Sequence, residues 1–415
     1  MKKFIFTSFV SLMAVAAMAQ KTPATNSPAD GFYRVQNVGT SRYAYLTDNK
    51  GSIDYNACTA DLGALSLFLD ADARYSDPAS VLYVRNTGIE NKIDIECQGT
   101  SLYSIIGKYA RAYQRTNDGN YYVYANWTDA VHYLADCETD NTKEEGKMGD
   151  TRASVYRHWN LTPVDAATDE YFGIKPTISA GGKYYYPLSA SFAFSFASTG
   201  MKAYYVSDIN AKTGQICLSE YKGTVMPAGE PFIIECSSMN PSDNRLNVLA
   251  EGGVAPEKNY LRRNYFFDPD RDNMKTFRPA YMRVLGTTKG GKLGFVSESD
   301  ELETYVGGAK AAKAAEATLY LPSNQGYLCT FEPDEEEPAT EEEAEAVEPI
   351  IAVETEIEAV PAAEFVPDPD KETGITTISV AAAPAAAYSL TGVKMNASEL
   401  SAGMYVIGGQ KVSVR

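Results

Sequence analysis

Short aromatic and apolar runs, separated by turn residues, recur along most of this chain and constrain its fold more than any other feature. Tyrosine alone supplies 29 of the 415 residues, and aromatic residues make up 11% of the chain. Aromatic and β-branched side chains favour the pleated, half-buried surface of a sheet. Short runs at intervals of about 8–12 residues are typical of β-sandwiches and β-barrels. The sequence therefore predicts an all-β fold.

Three similar pairs of runs lie in the first part of the chain. Their first members all end in Asn: Phe32–Asn37, Leu82–Asn86 and Tyr121–Asn126. A second run follows each of them about ten residues later: Tyr43–Leu46, Ile93–Glu96 and Val131–Leu134. Repeated units of about 40 residues, each a few strands long, are typical of a β-trefoil. We therefore predict a β-trefoil-like domain over residues 31–165.

Both ends of this domain resemble a known family. Residues 31–43 (GFYRVQNVGTSRY) resemble the start of a ricin-type trefoil repeat, and Trp159–Val164 resembles the last strand of one. The resemblance implies a trefoil fold. The Gln-x-Trp signature of sugar-binding ricin modules does not occur in the segment. The resemblance therefore implies the trefoil fold but does not imply lectin activity.

The middle of the chain, residues 168–331, continues with short strand-like runs. They are Tyr184–Pro187, Phe192–Phe196, Met201–Ser207, Gln215–Leu218, Glu230–Glu235, Tyr281–Leu285, Lys292–Val296 and Ala317–Leu321. We predict a β-sandwich-like or barrel-like module, either as one domain or as two subdomains near 168–250 and 258–331. Its runs resemble a β-rich module of surface proteins of the Bacteroidetes. The Ala/Lys-rich stretch Ala309–Ala317 favours a short helix.

Residues 332–371 differ sharply in composition from the rest of the chain. Between Glu332 and Asp370 lie 16 acidic residues and no Lys or Arg, which accounts for nearly all of the net charge of −17. With Phe365 as its one aromatic residue, the segment buries too little apolar surface to offset chain entropy. We predict an acidic, disordered linker, and a cation-binding or acidic interaction tract is the alternative. The near-neutral remainder lacks the basic face that nucleic acids require, so we expect no nucleic-acid partner.

The N-terminus has the pattern of a secretory signal peptide. Two lysines precede an apolar run, and a small-x-small cleavage motif ends at Ala19. We predict a signal peptide over residues 1–19, cleavage before Gln20, and a flexible lead-in over residues 20–30. No later run is long enough for a membrane helix, so we expect no transmembrane segment in the mature chain.

The C-terminal residues 372–415 contain short apolar strands separated by Gly-containing turns, which predict a small β-meander. The runs are Ala387–Lys394, Leu400–Ile407 and Gly408–Arg415. They resemble the C-terminal sorting domains of Bacteroidetes-type surface proteins, which the type IX secretion machinery reads. The resemblance implies that machinery as a partner, and a secreted or cell-surface location associated with the outer membrane.

Six cysteines lie in the part of the chain predicted to be exported, where disulfides are allowed. They are Cys58, Cys97, Cys137, Cys217, Cys236 and Cys329. No CxxC pair occurs, which argues against a structural zinc site and a redox motif. We expect the runs that hold Cys217 and Cys236 to form a hairpin, which makes these two residues the candidate disulfide. Two separate buried thiols are the alternative.

Aromatic residues are the candidate ligand-binding groups of the chain. They are Trp127, Trp159, Tyr184 and Tyr186. Such side chains stack on sugar rings or pack against a partner protein, although aromatic residues on strands belong more often to a core. Alternation along the strand places Tyr184 and Tyr186 on one face and Tyr185 on the other.

Catalytic residue types are scarce. The chain has two histidines, His132 and His158, and both lie in strand-like runs. Neither a Gly-rich phosphate loop nor an HExxH motif occurs. The alternating acids of Asp268–Asn273 lack the Gly and the closing acid of an EF-hand loop. We therefore expect no catalytic residues, no metal site and no cofactor.

Together these features predict a secreted or cell-surface binding or adhesion protein without enzyme activity. Its expected ligand is a glycan, or a host or partner protein. A carbohydrate-active enzyme with an accessory trefoil module is the first alternative. A structural component of a surface layer or fimbria is the second.

Overall fold

Strands and the turns between them dominate the computed structural model. It describes residues 28–46, 65–67, 73–86, 93–97, 100–101, 111–114, 121–126, 131–136, 148–150, 158–264, 275–306, 309–311, 318–331, 356–368, 387–389, 394–395, 403–407 and 410–414. Within these ranges the helical elements are single 3-10 turns at Ala73–Tyr75, Pro78–Ser80 and Pro241–Asp243. None of the described residues belongs to a helix that is long and apolar enough to cross a membrane. The fold is all-β, as the recurrent Tyr-rich runs predict.

The N-terminal part of the chain forms a nine-stranded antiparallel sheet, which we call the first sheet. Its strands are β1 (Gly31–Asn37), β4 (Leu82–Asn86), β5 (Ile93–Cys97), β6 (Thr100–Ser101), β7 (Arg111–Gln114), β8 (Tyr121–Asn126), β9 (Val131–Asp136), β10 (Met148–Asp150) and β11 (His158–Pro163). They follow the order β10-β9-β8-β11-β1-β4-β5-β6, with β7 paired to β8. Two further strands, β2 (Ala44–Leu46) and β3 (Leu65–Leu67), pair with each other.

Five of the six predicted runs are strands of this sheet, and the sixth, Tyr43–Leu46, corresponds to β2 in the separate pair with β3. The observed bounds of β4 and β8 match the predicted runs at both ends. Strand β1 pairs with β4 on one side and β11 on the other, so the first and last strands of the predicted N-terminal domain are neighbours. Val35, Val84 and Trp159 are buried beneath these strands. The threefold arrangement of a trefoil stays a prediction.

A ten-stranded sheet, which we call the main sheet, curls into a half-barrel in the middle of the chain. Its strands are β13 (Ile178–Ala180), β14 (Lys183–Leu188), β16 (Lys202–Asn210), β17 (Gln215–Glu220), β18 (Phe232–Cys236), β20 (Leu261–Arg262), β21 (Met282–Thr287), β22 (Leu293–Val296), β25 (Tyr327–Cys329) and β26 (Glu356–Pro361). Their order is β13-β14-β18-β16-β17-β26-β22-β21-β25-β20. The Thr287 hydroxyl donates a 3.0 Å hydrogen bond to the Ser179 carbonyl, which ties β21 to the edge strand β13.

Both faces of the main sheet are covered, because neighbouring residues of its strands enter different cores. Ile233 and Leu285 belong to one core, whereas Phe232 and Val284 belong to two others. A three-stranded small sheet packs on the core that contains Phe232. Its strands are β12 (Phe172–Gly173), β15 (Ala193–Phe196) and β19 (Arg245–Leu249). The middle module therefore combines a curled sheet with a sandwich-like second layer.

Strand β26 overturns part of the predicted linker. Residues Glu356–Pro361 pair in parallel with β17 and antiparallel with β22, so they connect two halves of the main sheet. Ile357 is fully buried, and Val360 is buried as well. Beyond the strand, Lys212 forms a 3.2 Å ion pair with Asp368. The linker prediction is wrong for residues 356–368, and the remainder of 332–371 lies outside the described residues.

The predicted disulfide is also wrong, because β16 lies between the two strands that were expected to form a hairpin. Cys217 pairs with Asp208 at one end of β16, whereas Cys236 follows Glu235, which pairs with Lys202 at the other end. Strand spacing alone separates them by about 9.6 Å across the sheet, and the offset along β16 adds roughly 20 Å. Disulfides need Cα atoms within about 7 Å. Both cysteines are free, buried thiols.

The C-terminal strands form a four-stranded antiparallel sheet. They are β27 (Ala387–Ser389), β28 (Lys394–Met395), β29 (Gly403–Ile407) and β30 (Gln410–Val414). Their order is β28-β27-β29-β30, so β27 lies between β28 and β29. The sheet therefore differs from a strict meander, in which each strand would lie beside the next one in the chain.

Two other predictions concern short segments. The stretch predicted as a helix begins instead with β24 (Ala309–Ala311), which pairs with β23 (Thr304–Val306). A strand-like run was predicted at Ala317–Leu321, where the chain makes isolated bridges through Tyr320. The predicted signal peptide and its cleavage site between Ala19 and Gln20 lie outside the described residues.

Candidate functional site

The predicted aromatic ligand residues occupy different environments. Trp127 lies outside the described residues. Trp159 on β11 is 0% exposed, so it is a core residue and was wrongly predicted to stack on a ligand. Tyr184 and Tyr186 are half-buried and pack on the core of the small sheet, whereas Tyr185 enters the core inside the curl. The predicted alternation is confirmed. Tyr186 belongs to the candidate site described below.

A short segment, which we call the junction segment (residues 73–80), lies between the first sheet and the main sheet. Asp77 caps the second 3-10 turn, where its Oδ1 accepts a 2.8 Å hydrogen bond from the Ala79 amide. Pro78 at the first turn position presets the required backbone angle. The Ser80 hydroxyl donates to the Arg74 carbonyl at 2.8 Å, which closes the segment on itself. These bonds fix where Arg74 and Asp77 project.

Tyr186 lies near carboxylates from two distant parts of the chain and near an amide from a third. Burial raises the pKa of its phenol, and the charges of Asp77, Glu301 and Glu303 raise it further. A hydrogen bond with Gln325 acts in the opposite direction. Glu301 and Glu303 directly precede β23, and Gln325 lies shortly before β25. We call Asp77, Tyr186, Glu301, Glu303 and Gln325 the carboxylate cluster.

Asp77 has the most perturbed carboxyl group of this cluster. Burial raises its pKa to about 6, the hydrogen bond from the Ala79 amide lowers it, and the charge of Glu303 raises it again. The residue is nevertheless only half-buried. The carboxyl group can therefore change its proton near neutral pH.

Two polar atoms without partners lie next to the carboxylate cluster. The Ser189 amide donates to the Asn324 carbonyl at 2.8 Å, and Leu188 bridges to Gln325. The Ser189 hydroxyl oxygen and the Asn324 side-chain carbonyl oxygen are buried and have no hydrogen-bond partner. Such atoms call for a water molecule or a ligand group. Two buried oxygen atoms beside the cluster therefore accept no hydrogen bond from the described residues.

A second group of side chains also includes residues of the junction segment, and we call it the Arg–Tyr cluster. It contains Arg34 from β1, Arg74 and Tyr75 from the junction segment, and Glu170 and Tyr171 from just before β12. The Arg74 guanidinium lies 4.2 Å from the Tyr75 ring centroid, and the rings of Tyr75 and Tyr171 stack at 4.7 Å. Stacking therefore joins the junction segment to the segment before β12, and the cation–π contact holds the Tyr75 ring in place.

Arg34 is the buried centre of the Arg–Tyr cluster. Its side chain is 0% exposed, and its Nη2 donates to the Tyr171 carbonyl at 2.8 Å. The Glu170 carboxylate lies 4.0 Å from Arg34 Nε and 3.6 Å from Arg74 Nη2. Burial lowers the pKa of Arg34 to about 10, Glu170 raises it, and Arg74 lowers it. Arg34 Nε and Nη1 have no hydrogen-bond partner.

Several residues of these clusters were not identified from the sequence, although two local signals were present. Asp77-Pro78 is an Asp-Pro pair, which favours a turn with a capping carboxylate. Glu301 and Glu303 alternate in front of a strand, which places both side chains on one face. Neither signal shows that these carboxylates meet Tyr186, because that contact joins positions more than a hundred residues apart.

The sequence also drew attention to metal-binding acids and to the histidines. Within the described ranges, no group of three or more His, Cys, Asp or Glu side chains is arranged to hold a metal ion. Asp268–Asn273 lies outside those ranges. His158 is half-buried on β11, where its backbone carbonyl accepts from the Val38 amide at 2.8 Å.

Comparisons with known proteins identify no family for this chain. No family model matches it, and no curated protein matches it. A solved structure described as "Structure and mode of action of a mosquitocidal holotoxin" is similar at 9% identity, with a TM-score of 0.21. The similarity covers 73% of this chain and 34% of that chain, so this chain spans about a third of the toxin chain. A TM-score this low does not establish a shared fold.

Proposed function

We propose that this protein is a secreted or cell-surface binding protein without catalytic activity, and that the carboxylate cluster is its ligand site. One observation carries the proposal. The desolvated carboxyl group of Asp77 lies close enough to Glu303 and Tyr186 for their charges to interact, and Tyr186 forms a hydrogen bond with Gln325. Ligand sites of this kind have a few convergent polar groups on a rigid scaffold.

The chemistry of the cluster favours a glycan. Carboxylates accept hydrogen bonds, and an amide both accepts and donates them, so the set matches the paired hydroxyl groups of a sugar. The negative charge of Glu301 and Glu303 repels sialylated and sulfated sugars. A neutral or amine-bearing glycan is therefore the expected ligand.

The location belongs to the same proposal. It is supported by the signal-peptide pattern before Gln20 and by the resemblance of residues 372–415 to type IX sorting domains. The small antiparallel sheet within residues 387–414 suits such a tail. We propose that the secretion machinery is a partner at this end and that the mature protein remains at the outer surface.

A glycan array tests the ligand assignment. The wild-type chain is compared with Tyr186→Phe and Glu303→Gln. The matched controls are Tyr184→Phe and Glu298→Gln, which changes an exposed acid shortly before β23. We expect neutral glycans to bind, with at least tenfold weaker binding in Y186F and E303Q and little change in the controls. Full binding by both site variants would contradict the assignment of the site.

One specific observation favours a second function, that of a carbohydrate-active enzyme. Asp77 has a pKa of about 6, and Glu303 lies close enough to raise it. A carboxyl group of raised pKa near a second carboxyl group is one feature of a glycosidase acid and its partner. Release of reducing sugar from a polysaccharide panel, lost in both Asp77→Asn and Glu303→Gln, would favour the enzyme. Binding without release would favour the non-catalytic protein.

A further inference from the structure

Strand β26 is inserted between two strands that come from much earlier parts of the chain. Its Glu358 lies opposite Gln215 of β17 on one side and opposite Gly294 of β22 on the other. Without β26, these two strands would each present an unpaired edge, and the gap between the edges would have room for one strand. We call this gap between β17 and β22 the strand slot.

The strand slot holds β26 through side chains as well as through the backbone ladder. Ile357 is fully buried in the core inside the curl. Gly294 gives the slot the space for the backbone of β26, because a Cβ atom there would lie 2.5 Å from the Ile357 carbonyl oxygen. Past the strand, the Asn210 side chain donates a 2.7 Å hydrogen bond to the Val366 carbonyl. The slot is therefore shaped for one particular extended segment.

Charges of opposite sign also match between the slot and this segment. Three lysines of the surrounding sheet and turns form ion pairs with acids of residues 356–368, and these pairs are Lys289–Glu356 at 3.9 Å, Lys292–Glu358 at 2.6 Å and Lys212–Asp368 at 3.2 Å. Exposed ion pairs add little affinity, but they favour one direction and register of an incoming strand. The slot thus favours an acidic strand of the pattern of β26, which every copy of this chain carries.

The connection that leads into β26 is much longer than its position in the sheet requires. The register runs from Tyr327 on β25 across β21 and β22 to Glu356 on β26. Three strand spacings between these two residues amount to about 14 Å. The intervening residues 332–355 could extend over about 80 Å. A strand on a connection of this length can reach the slot of a neighbouring molecule.

We infer that the strand slot also accepts β26 from a second copy of this chain, which produces a strand-exchanged oligomer. The contacts within the slot are the same in the closed and the exchanged form, so their balance depends on the connection and on the protein concentration. Linkage to the same chain gives β26 an effective concentration of about 1 mM. The closed form therefore dominates in dilute solution, and exchange requires crowded copies or a defect in a chain's own strand. This inference is independent of the carboxylate cluster.

Two full-length variants with complementary defects test the inference. Ile357→Asp damages the strand and leaves the slot intact, whereas Gly294→Val blocks the slot and leaves the strand intact. The two chains carry different tags and are folded together, and light scattering measures the mass of the complexes. We expect a 1:1 complex about tenfold tighter than the self-association of either variant, because one intact strand fills one intact slot. Mixed chains that associate no more than the separate chains would overturn the inference.

A cross-link between chains with an undamaged slot and strand gives a readout if either variant does not fold. Gln215→Cys and Glu358→Cys are placed on separate chains, because paired strands bring these two positions within disulfide reach. The chains are folded together at about 1 mM under reducing conditions and then oxidised. The control pair is Lys183→Cys with Glu358→Cys, since β14 lies four strands away from β26. We expect about tenfold more disulfide-linked dimer from the Gln215 pair. Equal yields from the two pairs would show that β26 stays in its own chain.

Discussion

Asn244, which precedes β19, holds the surrounding loops together through its side chain. Its Oδ1 accepts hydrogen bonds from the amides of Ser237 and Ser238 at 2.8 Å and 3.3 Å. Its Nδ2 donates to the carbonyls of Ile174, Ser238 and Asn240 at 2.9 Å, 2.8 Å and 3.1 Å. The residue is 0% exposed, so water cannot replace these partners. One side chain thereby satisfies backbone groups from two separate segments.

Replacing Asn244 by Ala is expected to lower the free energy of unfolding by about 3 kcal/mol, because several buried backbone groups lose their partner at once. The matched control is Asn247→Ala on β19, where an exposed side chain donates a 3.1 Å hydrogen bond to the Ser195 hydroxyl. Urea denaturation measures both variants. Equal losses in the two variants would show that the buried network does not matter.

The raised pKa of Asp77 predicts a definite pH dependence. The folded pKa is about 6, against an ordinary value of 3.8. Between these values the folded state binds more protons than the unfolded state, so stability falls as pH rises through this window. Asp77→Asn keeps the acceptor for the Ala79 amide and removes the charge. We expect the variant to be about 1–2 kcal/mol more stable than wild type at pH 8.

This stability difference should disappear below pH 4, where Asp77 is neutral in both states. Denaturation midpoints between pH 3.5 and 8 measure it, with Asp169→Asn as the exposed control for the loss of one surface charge. A D77N variant that is less stable than wild type at pH 8 would mean that the carboxylate is stabilised in the folded protein.

At the residue scale, the sequence predicts the face of a strand on which a side chain lies better than it predicts whether that side chain is buried. The alternation of Tyr184, Tyr185 and Tyr186 follows from the pleat of a strand and is confirmed. The burial of Trp159 was missed, because exposure depends on which strands lie beside β11. Only the fold brings Asp77 next to Tyr186, since sequence spacing carries no information on such a distant contact.

Among the elements, β26 is the strand that the acidic composition of its segment made hardest to predict. The run Glu356-Ile357-Glu358-Ala359-Val360 alternates polar and apolar residues, which is a strand signal, yet the acidic residues around it predict a linker. In the fold, Lys292 forms a 2.6 Å ion pair with Glu358. Gly294 admits the close approach, since a Cβ atom there would lie 2.5 Å from the Ile357 carbonyl oxygen. Long-range partners turn an acidic segment into a strand.

A charge inside β26 should therefore be far more harmful than a charge just beyond it. Ile357→Asp places a carboxylate at a position with 0% exposure, and Val366→Asp places one at a position with 64% exposure. We expect I357D to lose about 4 kcal/mol of unfolding free energy and V366D less than about 0.5 kcal/mol. Guanidinium denaturation of both chains measures the difference. A similar, small effect of both substitutions would restore the linker interpretation.

On the scale of the whole molecule, one core joins the parts of the chain that the sequence left as one domain or two subdomains. The core inside the curl contains Val206 and Ile233 from the first half and Phe295 and Leu328 from the second. Ile357 contributes to the same core from the strand between them. Because β17 and β22 meet through β26, neither half of the main sheet is complete without it.

The two halves should consequently unfold as one unit. Phe295→Ala removes a fully buried ring from the second half, at a cost of about 3–5 kcal/mol. Native-state hydrogen exchange then compares the amides of β18 in the first half with those of β21 in the second. We expect the slowest amides of both strands to lose the same free energy of opening, since amides exposed by global unfolding share its free energy. Two independent subdomains would confine the loss to β21 and leave β18 protected as in the wild type.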